Sequence, residues 1–150
     1  MKSSLTAIFA GLVVVVLYAC HKDKFETTPT IRIKDINTTE VYGPNGILKI
    51  TLEVTDREGD AGEGDLTYIR VRTNGTPIPD PINNDKADTP HAVVPPFPKT
   101  DKVEMELTIP YSFLDEDPVR NDTMYFRLTL KDSQGHQSDT INTKSIVAVQ

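Results

Sequence analysis

The stretch Leu48-Lys49-Ile50-Thr51-Leu52-Glu53-Val54-Thr55 decides the fold class, because apolar and polar residues alternate along it without a break. Successive side chains of a β-strand point to opposite faces, so this pattern predicts a strand with one buried face and one solvated face. The same alternation recurs in residues 103–109 and 126–131, and in shorter form in 69–72. Helical spacing is confined to one or two turns, with a single turn expected at 111–117.

Two further segments, residues 31–33 and 141–149, fit as terminal strands and bring the expected total to six or seven. Strands that each have one apolar face need a second sheet to cover those faces. We therefore predict an all-β fold for residues 30–150, an antiparallel β-sandwich of about seven strands.

Residues 76–100 interrupt this regularity, because seven of the eleven prolines fall there. Proline has no N–H to donate to a β-ladder, so we expect a long excursion, with 91–94 as an edge strand. A loop of this length is usually functional or mobile. A stiff insertion without a role is the alternative.

The N-terminus has the pattern of an export signal. Lys2 supplies a positive charge, residues 5–19 are uncharged, and the segment ends in Leu17-Tyr18-Ala19-Cys20. This ending resembles the lipobox of bacterial lipoprotein precursors, with Tyr18 in place of the usual small residue. The resemblance implies a signal peptide at 1–19, a lipid on Cys20 and a polar tether over 20–29. An uncleaved anchor helix with an incidental cysteine is the alternative.

Composition and motifs exclude several functional classes. The net charge of −6 argues against a nucleic-acid partner, which would require a basic face. The sequence contains no nucleophile elbow, phosphate-binding loop or dinucleotide-binding glycine triplet, and it has no Trp for stacking on sugars. We therefore expect that the protein is not an enzyme.

The segment from Phe126 to Ile141 resembles the last hairpin of bacterial immunoglobulin-like domains, which often have Asp-x-x-Gly-Asn-x-Ser-Asn between two strands. Asp132, Gly135 and Ser138 match that pattern, and His136 replaces the Asn. Over roughly residues 30–149 the chain resembles small immunoglobulin-like lipoproteins of the Bacteroidota. The resemblance implies an immunoglobulin-like sandwich anchored by lipid in the cell envelope, at the outer membrane, on either its periplasmic or its surface face. It implies little about function, because this fold has many functions.

The segment Asp56-Arg57-Glu58-Gly59-Asp60-Ala61-Gly62-Glu63-Gly64-Asp65 has five carboxylates and three glycines between two strands. Carboxylate oxygens are the ligands that Ca²⁺ prefers. In a sandwich of this type the second and sixth strands run parallel, so the loops after Val54 and Leu130 share one pole. The candidate calcium ligands are Asp56, Glu58, Asp60, Asp65 and Asp132. The spacing is not that of an EF-hand, and a solvated acidic turn is the alternative.

Two short patterns, Asp122-Thr123-Met124 and Asp139-Thr140-Ile141, match the O-glycosylation pattern of Bacteroidota. Thr123 and Thr140 are therefore candidate glycosylation sites, although both patterns also fit ordinary residues at strand starts. The three histidines are dispersed, and no two of them have metal-ligand spacing.

Together these features predict a membrane-anchored, non-catalytic envelope lipoprotein that binds a protein or glycan partner or builds an assembly, with calcium as a candidate stabiliser. The alternative is an accessory ligand-binding subunit of a surface glycan or peptide uptake system. A cleft lined by tyrosines would favour that alternative, and a flat pole of loops would favour the binding or assembly module.

Overall fold

A computed structural model describes residues 27–75 and 90–150 of the chain. Cys20, the signal peptide and much of the proline-rich excursion lie outside this part. Within it the elements are β1 Thr30–Ile36, β2 Glu40–Tyr42, β3 Ile47–Thr55, β4 Asp65–Arg72, β5 His91–Val93, β6 Lys102–Pro110, α1 Tyr111–Leu114, β7 Asp122–Lys131, β8 Ile141–Asn142 and β9 Ile146–Val149. The all-β prediction is confirmed. None of the helical residues described belongs to a helix long and apolar enough to cross a bilayer.

The strands form two sheets that pack face to face. One sheet has three strands in the order β1-β3-β6, and the other has the order β2-β9-β7-β4-β5, with β8 beside β7. Every pair is antiparallel except β2 with β9, which is parallel and departs from the predicted antiparallel arrangement. The excursion contributes β5 at the edge of the larger sheet, and the edge strand predicted near 91–94 is therefore confirmed.

The core confirms the inward apolar faces that the alternation predicted in 48–55, 103–109 and 126–131. In 69–72 the predicted faces are reversed, because Arg70 and Arg72 lie beside the buried residues of β7. In β3 and β6 the apolar residues face each other in register, as with Leu48 and Ile109 or Ile50 and Leu107. The inward faces of both sheets supply the largest fully buried side chains, which include Leu48, Ile50, Leu52, Val54, Ile109, Met124, Phe126, Leu128, Leu130 and Ile146. Burying these aliphatic and aromatic side chains is the main contribution to folding free energy.

The outer face of the three-stranded sheet is covered by ion pairs. Glu53 lies between Arg32 and Lys102, at 2.6 Å from Arg32 Nε and 2.8 Å from Lys102 Nζ, and the residue is only 7% exposed. Lys34 pairs with Glu104, and Lys49 Nζ lies 2.9 Å from Glu106 Oε1. The hydrogen bonds from Arg32 and Lys102 lower the pKa of the Glu53 carboxyl to about 2.

Two arginines of β4 occupy core-facing positions. Arg70 is paired with Phe126 in the β-ladder and Arg72 with Met124, and both of those partners are buried. The positive charges of both arginines are balanced by Glu116, which lies in the segment that follows β6. Arg70 forms an ion pair with it, and Arg72 lies 2.8 Å from it.

Asp122 completes this buried network. Its Oδ1 lies 2.8 Å from Arg72 Nη1, and its Oδ2 accepts hydrogen bonds from the backbone N–H groups of Glu116 at 2.5 Å and Asp117 at 2.9 Å. Buried charges are tolerated where they are paired in this way. The network holds residues 111–121 over one end of the sandwich.

The two ends of the sandwich differ in chemistry. The acidic pole comprises the loops 56–64 and 132–137 together with residues 94–101, and it lies at the ends of β3 and β7. The distal pole comprises residues 43–46, 73–75 and 111–121, at the beginnings of the same two strands.

Candidate metal centre

Three carboxylates converge at the acidic pole. Asp56 follows β3 of the smaller sheet, and Asp132 follows β7 of the larger one, so the two sheets bring these loops together. Asp60 lies between them, and one carboxylate oxygen from each of the three residues lies within 4.8 Å of the others. The topological prediction that Asp132 joins the acidic loop is confirmed.

The backbone of the acidic loop is shaped around Asp56. Its Oδ1 and Oδ2 accept hydrogen bonds of 3.1 Å from the N–H groups of Glu58 and Asp60, and its carbonyl accepts one from Gly59. Gly59 has a φ of +66°, and a Cβ there would lie 2.9 Å from the backbone N of Thr100. A glycine is therefore needed at this position for both conformation and space.

Asp132 is oriented by its own hairpin loop. Its Oδ1 accepts hydrogen bonds from the N–H groups of Gln134 at 2.9 Å and His136 at 2.8 Å, and its Oδ2 lies 3.1 Å from His136 Nδ1. The N–H of Ser133 donates to the carbonyl of Asp60 at 3.2 Å, which joins the two loops directly. The pairing of His136 with Asp132 was not predicted, because sequence spacing gave no sign of it.

Asp60 is the least compensated of the three carboxylates. Its Oδ1 is shielded from solvent and has no hydrogen-bond partner in the described part of the chain. Burial raises the pKa of its carboxyl, and a hydrogen bond between the Asp60 and Asp56 side chains and the negative charges of Asp56, Asp132 and Glu58 raise it further. A shielded carboxylate oxygen beside two others is a favourable location for a cation.

These residues fit a hard divalent cation. Calcium takes six to eight oxygen ligands, and the three carboxylates would supply part of that shell, with backbone carbonyls or water supplying the rest. His and Cys ligands, which softer metals prefer, are absent from the described group. Asp56, Asp60 and Asp132 are the residues that would hold the ion.

Two of the five predicted ligands lie outside this group. Asp65 is the first residue of β4, and because Leu66 points into the core, Asp65 points to the outer face. There its Oδ2 lies 2.8 Å from His91 Nδ1, and its side chain is 43% exposed. Asp65 therefore lies apart from the three converging carboxylates, and its role as a calcium ligand stays a prediction. Glu58 is exposed and acts on Asp60 through its charge.

The end of the proline-rich excursion closes over the acidic loop, a role that the sequence did not predict. Three backbone hydrogen bonds attach it: Asp56 N–H to the Asp101 carbonyl, Glu63 N–H to the Val94 carbonyl, and Val94 N–H to the Gly64 carbonyl, at 2.9 to 3.1 Å. Between them is a cavity of 250 Å³ lined by Gly59–Asp60, Gly62–Glu63, Pro96–Phe97, Lys99 and Ser133. The cavity therefore lies directly beside the carboxylate group.

A second cavity of 300 Å³ lies between β1 and the end of the larger sheet, lined by residues 33–36, Asn142 and Lys144. Neither cavity is lined by a described tyrosine. Tyr68 instead packs against Phe113 and Phe126, and Tyr111 is buried.

The two candidate glycosylation sites differ in access. Thr123 is half-buried in β7, and the preceding Asp122 is fully buried in the arginine network. Thr140 and the preceding Asp139 are both exposed ahead of β8. In the folded domain an enzyme can therefore reach Thr140 more readily than Thr123.

The sequence matches no family model, and no curated protein sequence is significantly similar to it. Among solved structures, the chain is similar to Spo0M, a sporulation control protein from Bacillus subtilis, with 12% identity and a TM-score of 0.45. That match covers 82% of this chain but only 50% of Spo0M. AggA, the major subunit of aggregative adherence fimbriae type I from Escherichia coli, matches with 10% identity and a TM-score of 0.29, over 81% of this chain and 96% of AggA.

Proposed function

We propose that the protein is a lipid-anchored, non-catalytic binding or assembly module of the bacterial envelope, stabilised by Ca²⁺ at Asp56, Asp60 and Asp132. The observation that supports the cation most strongly is the shielded Oδ1 of Asp60, which has no hydrogen-bond partner among the described residues and lies beside two other carboxylates. An ion at this position would neutralise the repulsion among the three groups and tie together loops from both sheets. The lipid anchor is supported by the resemblance of Leu17-Tyr18-Ala19-Cys20 to a lipobox. The expected location is the outer membrane.

Calcium titration followed by thermal unfolding tests the cation. If Ca²⁺ binds only the folded chain, a free concentration of 100 times Kd adds about 2.7 kcal/mol to the free energy of unfolding. We expect the melting temperature to rise with calcium and to return to its starting value with a chelator. An unchanged melting temperature at millimolar calcium would contradict the proposal.

The anchor is tested by metabolic labelling with a fatty-acid analogue. We expect the wild-type chain to incorporate the label, and Cys20→Ala to take none and to keep residues 1–19, because the variant lacks the thiol that carries the lipid. His21→Ala, changed one residue later, serves as the control and should be labelled like the wild type. Incorporation of the label by Cys20→Ala would refute the anchor.

A small-ligand site is the second candidate function, and the 250 Å³ cavity with Phe97 on its wall is the observation that favours it. Sugars and short peptides are the ligand classes to test, by their effect on the melting temperature. Phe97→Ala should abolish any shift that arises in this cavity, because the ring supplies its aromatic surface. A shift that persists in Phe97→Ala would place the ligand elsewhere.

A further inference from the structure

The path of β1 determines where the anchoring chain joins the domain. Thr30, the first residue of β1, pairs with Thr55, the last residue of β3, and its Oγ1 donates to the Thr55 carbonyl at 3.4 Å. The acidic loop begins at the next residue, Asp56. The chain that leads back to Cys20 therefore joins the sandwich at the acidic pole and not at the distal pole.

The link between lipid and domain is short. Six residues lie between Cys20 and Thr27, the first described residue, and the seven residue-to-residue steps of a fully extended chain span at most about 25 Å. The sandwich is about 30 Å long along the nine residues of β3. Holding the distal pole at the lipid surface would require the whole link to run back along the domain without slack. Ordering a chain in that way costs conformational entropy at every residue of the link.

From this geometry we infer that the anchored protein stands with its acidic pole facing the membrane surface and its distal pole turned away from it. This orientation rests on the lipid anchor of the proposed function and adds the direction in which the module is presented. The candidate calcium centre then lies on the side that faces the lipid headgroups.

Most of the exposed large hydrophobic side chains lie at or beside the pole that this orientation turns away from the membrane. Of the four large hydrophobic residues that are exposed in the described part, three lie at or beside the distal pole: Tyr42, Ile47 and Val119, at 59%, 46% and 80%. Val119 lies in the loop before β7, and Ile47 begins β3. The proposed orientation holds these side chains away from lipid. In the opposite orientation, the distal pole would face the membrane and these side chains would insert into the bilayer.

Fluorescence quenching from the lipid headgroups tests the orientation. Lipidation consumes the thiol of Cys20, so an introduced cysteine is the one free thiol of the mature chain. Gln134→Cys places a fluorophore on an exposed position of the acidic pole, and Val119→Cys places it at the distal pole. Both full-length variants are incorporated into vesicles that contain a headgroup-linked quencher. We expect quenching several times stronger at position 134 than at position 119.

Equal quenching at the two positions, or stronger quenching at 119, overturns the orientation. Failure of the anchor gives a different result, because the protein then stays off the vesicles and neither position is quenched. In that case a hexahistidine tag in place of residues 1–20 attaches the chain to nickel-chelating lipids at the same point. On these vesicles we again expect stronger quenching at position 134 than at position 119. Equal quenching, or stronger quenching at 119, overturns the inferred orientation.

Discussion

At the scale of single residues, the stability of the acidic pole and its ability to hold a cation depend on whether the Asp60 carboxyl is ionised. Burial and the neighbouring carboxylates raise the pKa of its carboxyl, so the folded state binds this proton more strongly than the unfolded chain does. Without a cation, the ionised group therefore reduces stability increasingly as the pH rises from the unfolded pKa through the folded one. A bound cation reverses this penalty, because the converging negative charges become its ligands. One residue can thus destabilise the empty site and help to hold the ion.

Glu53 gives the opposite pH dependence. Its pKa is lowered from 4.5 to about 2 by hydrogen bonds from Arg32 and Lys102, so its stabilising effect is complete above pH 4.5 and is lost as the pH falls towards 2. We expect Glu53→Gln to be less stable than the wild type above pH 4.5. As the pH falls from 4.5 towards 2, the variant should lose less stability than the wild type. Urea unfolding across the same pH range measures the difference. Parallel pH profiles for the two proteins would show that Glu53 does not contribute in this way.

The sequence predicted the members of the site only partly. Asp56 and Asp60 could be identified from the density of carboxylates, and Asp132 from the topology of the resembling fold. Asp65 was predicted with them because it was counted with the loop, but it begins β4 on the face opposite to Leu66 and lies apart from the three carboxylates. The pairing of Asp132 with His136 depends on how the hairpin loop folds back, which residue spacing does not specify.

At the scale of the elements, the arginine network attaches residues 111–121 to β4, together with the packing of Phe113 on Tyr68. Asp122 is fully buried, and it receives two backbone N–H groups as well as Arg72. We expect Asp122→Ala to lower the free energy of unfolding by about 3–5 kcal/mol, because it leaves two buried backbone N–H donors without an acceptor and removes one of the two carboxylates that pair with Arg72.

Chemical denaturation measures this loss. The matched control is Asp139→Ala, which removes the same side chain from an exposed position and should change stability by less than about 0.5 kcal/mol. A loss for Asp122→Ala no larger than that of the control would show that the network is not structural.

Regular alternation predicted β3, β6 and β7 together with their inward faces, whereas in β4 the alternation of 69–72 gave the wrong inward face. β3 and β6 keep apolar residues at every second position, and their register follows from that pattern. β2 has three residues, too few for a periodic signal, and its parallel pairing with β9 depends on where the intervening chain goes. Arg70 and Arg72 lie on the inward face of β4, where they pair with carboxylates of a distant segment. Alternation of apolar and polar residues does not reveal such pairing.

At the scale of the whole molecule, the candidate calcium centre lies where the two sheets meet. Asp56 extends from the smaller sheet and Asp132 from the larger one, and Asp60 is joined to the Asp132 loop through the N–H of Ser133. The last part of the proline-rich excursion is attached to the same loop. An ion held by these residues would therefore stabilise the packing of the sandwich as a whole, and not one loop alone.

Isothermal titration calorimetry of residues 21–150 with Ca²⁺ tests this claim most directly, in the wild type, in Asp60→Asn and in the matched control Asp65→Asn. We predict one ion per chain for the wild type and the control, and loss of binding in Asp60→Asn. Because the substitution removes a shielded charge, the melting temperature of the calcium-free Asp60→Asn protein should also rise above that of the calcium-free wild type. Absence of calcium binding by the wild type, or equal binding by Asp60→Asn, would contradict the account.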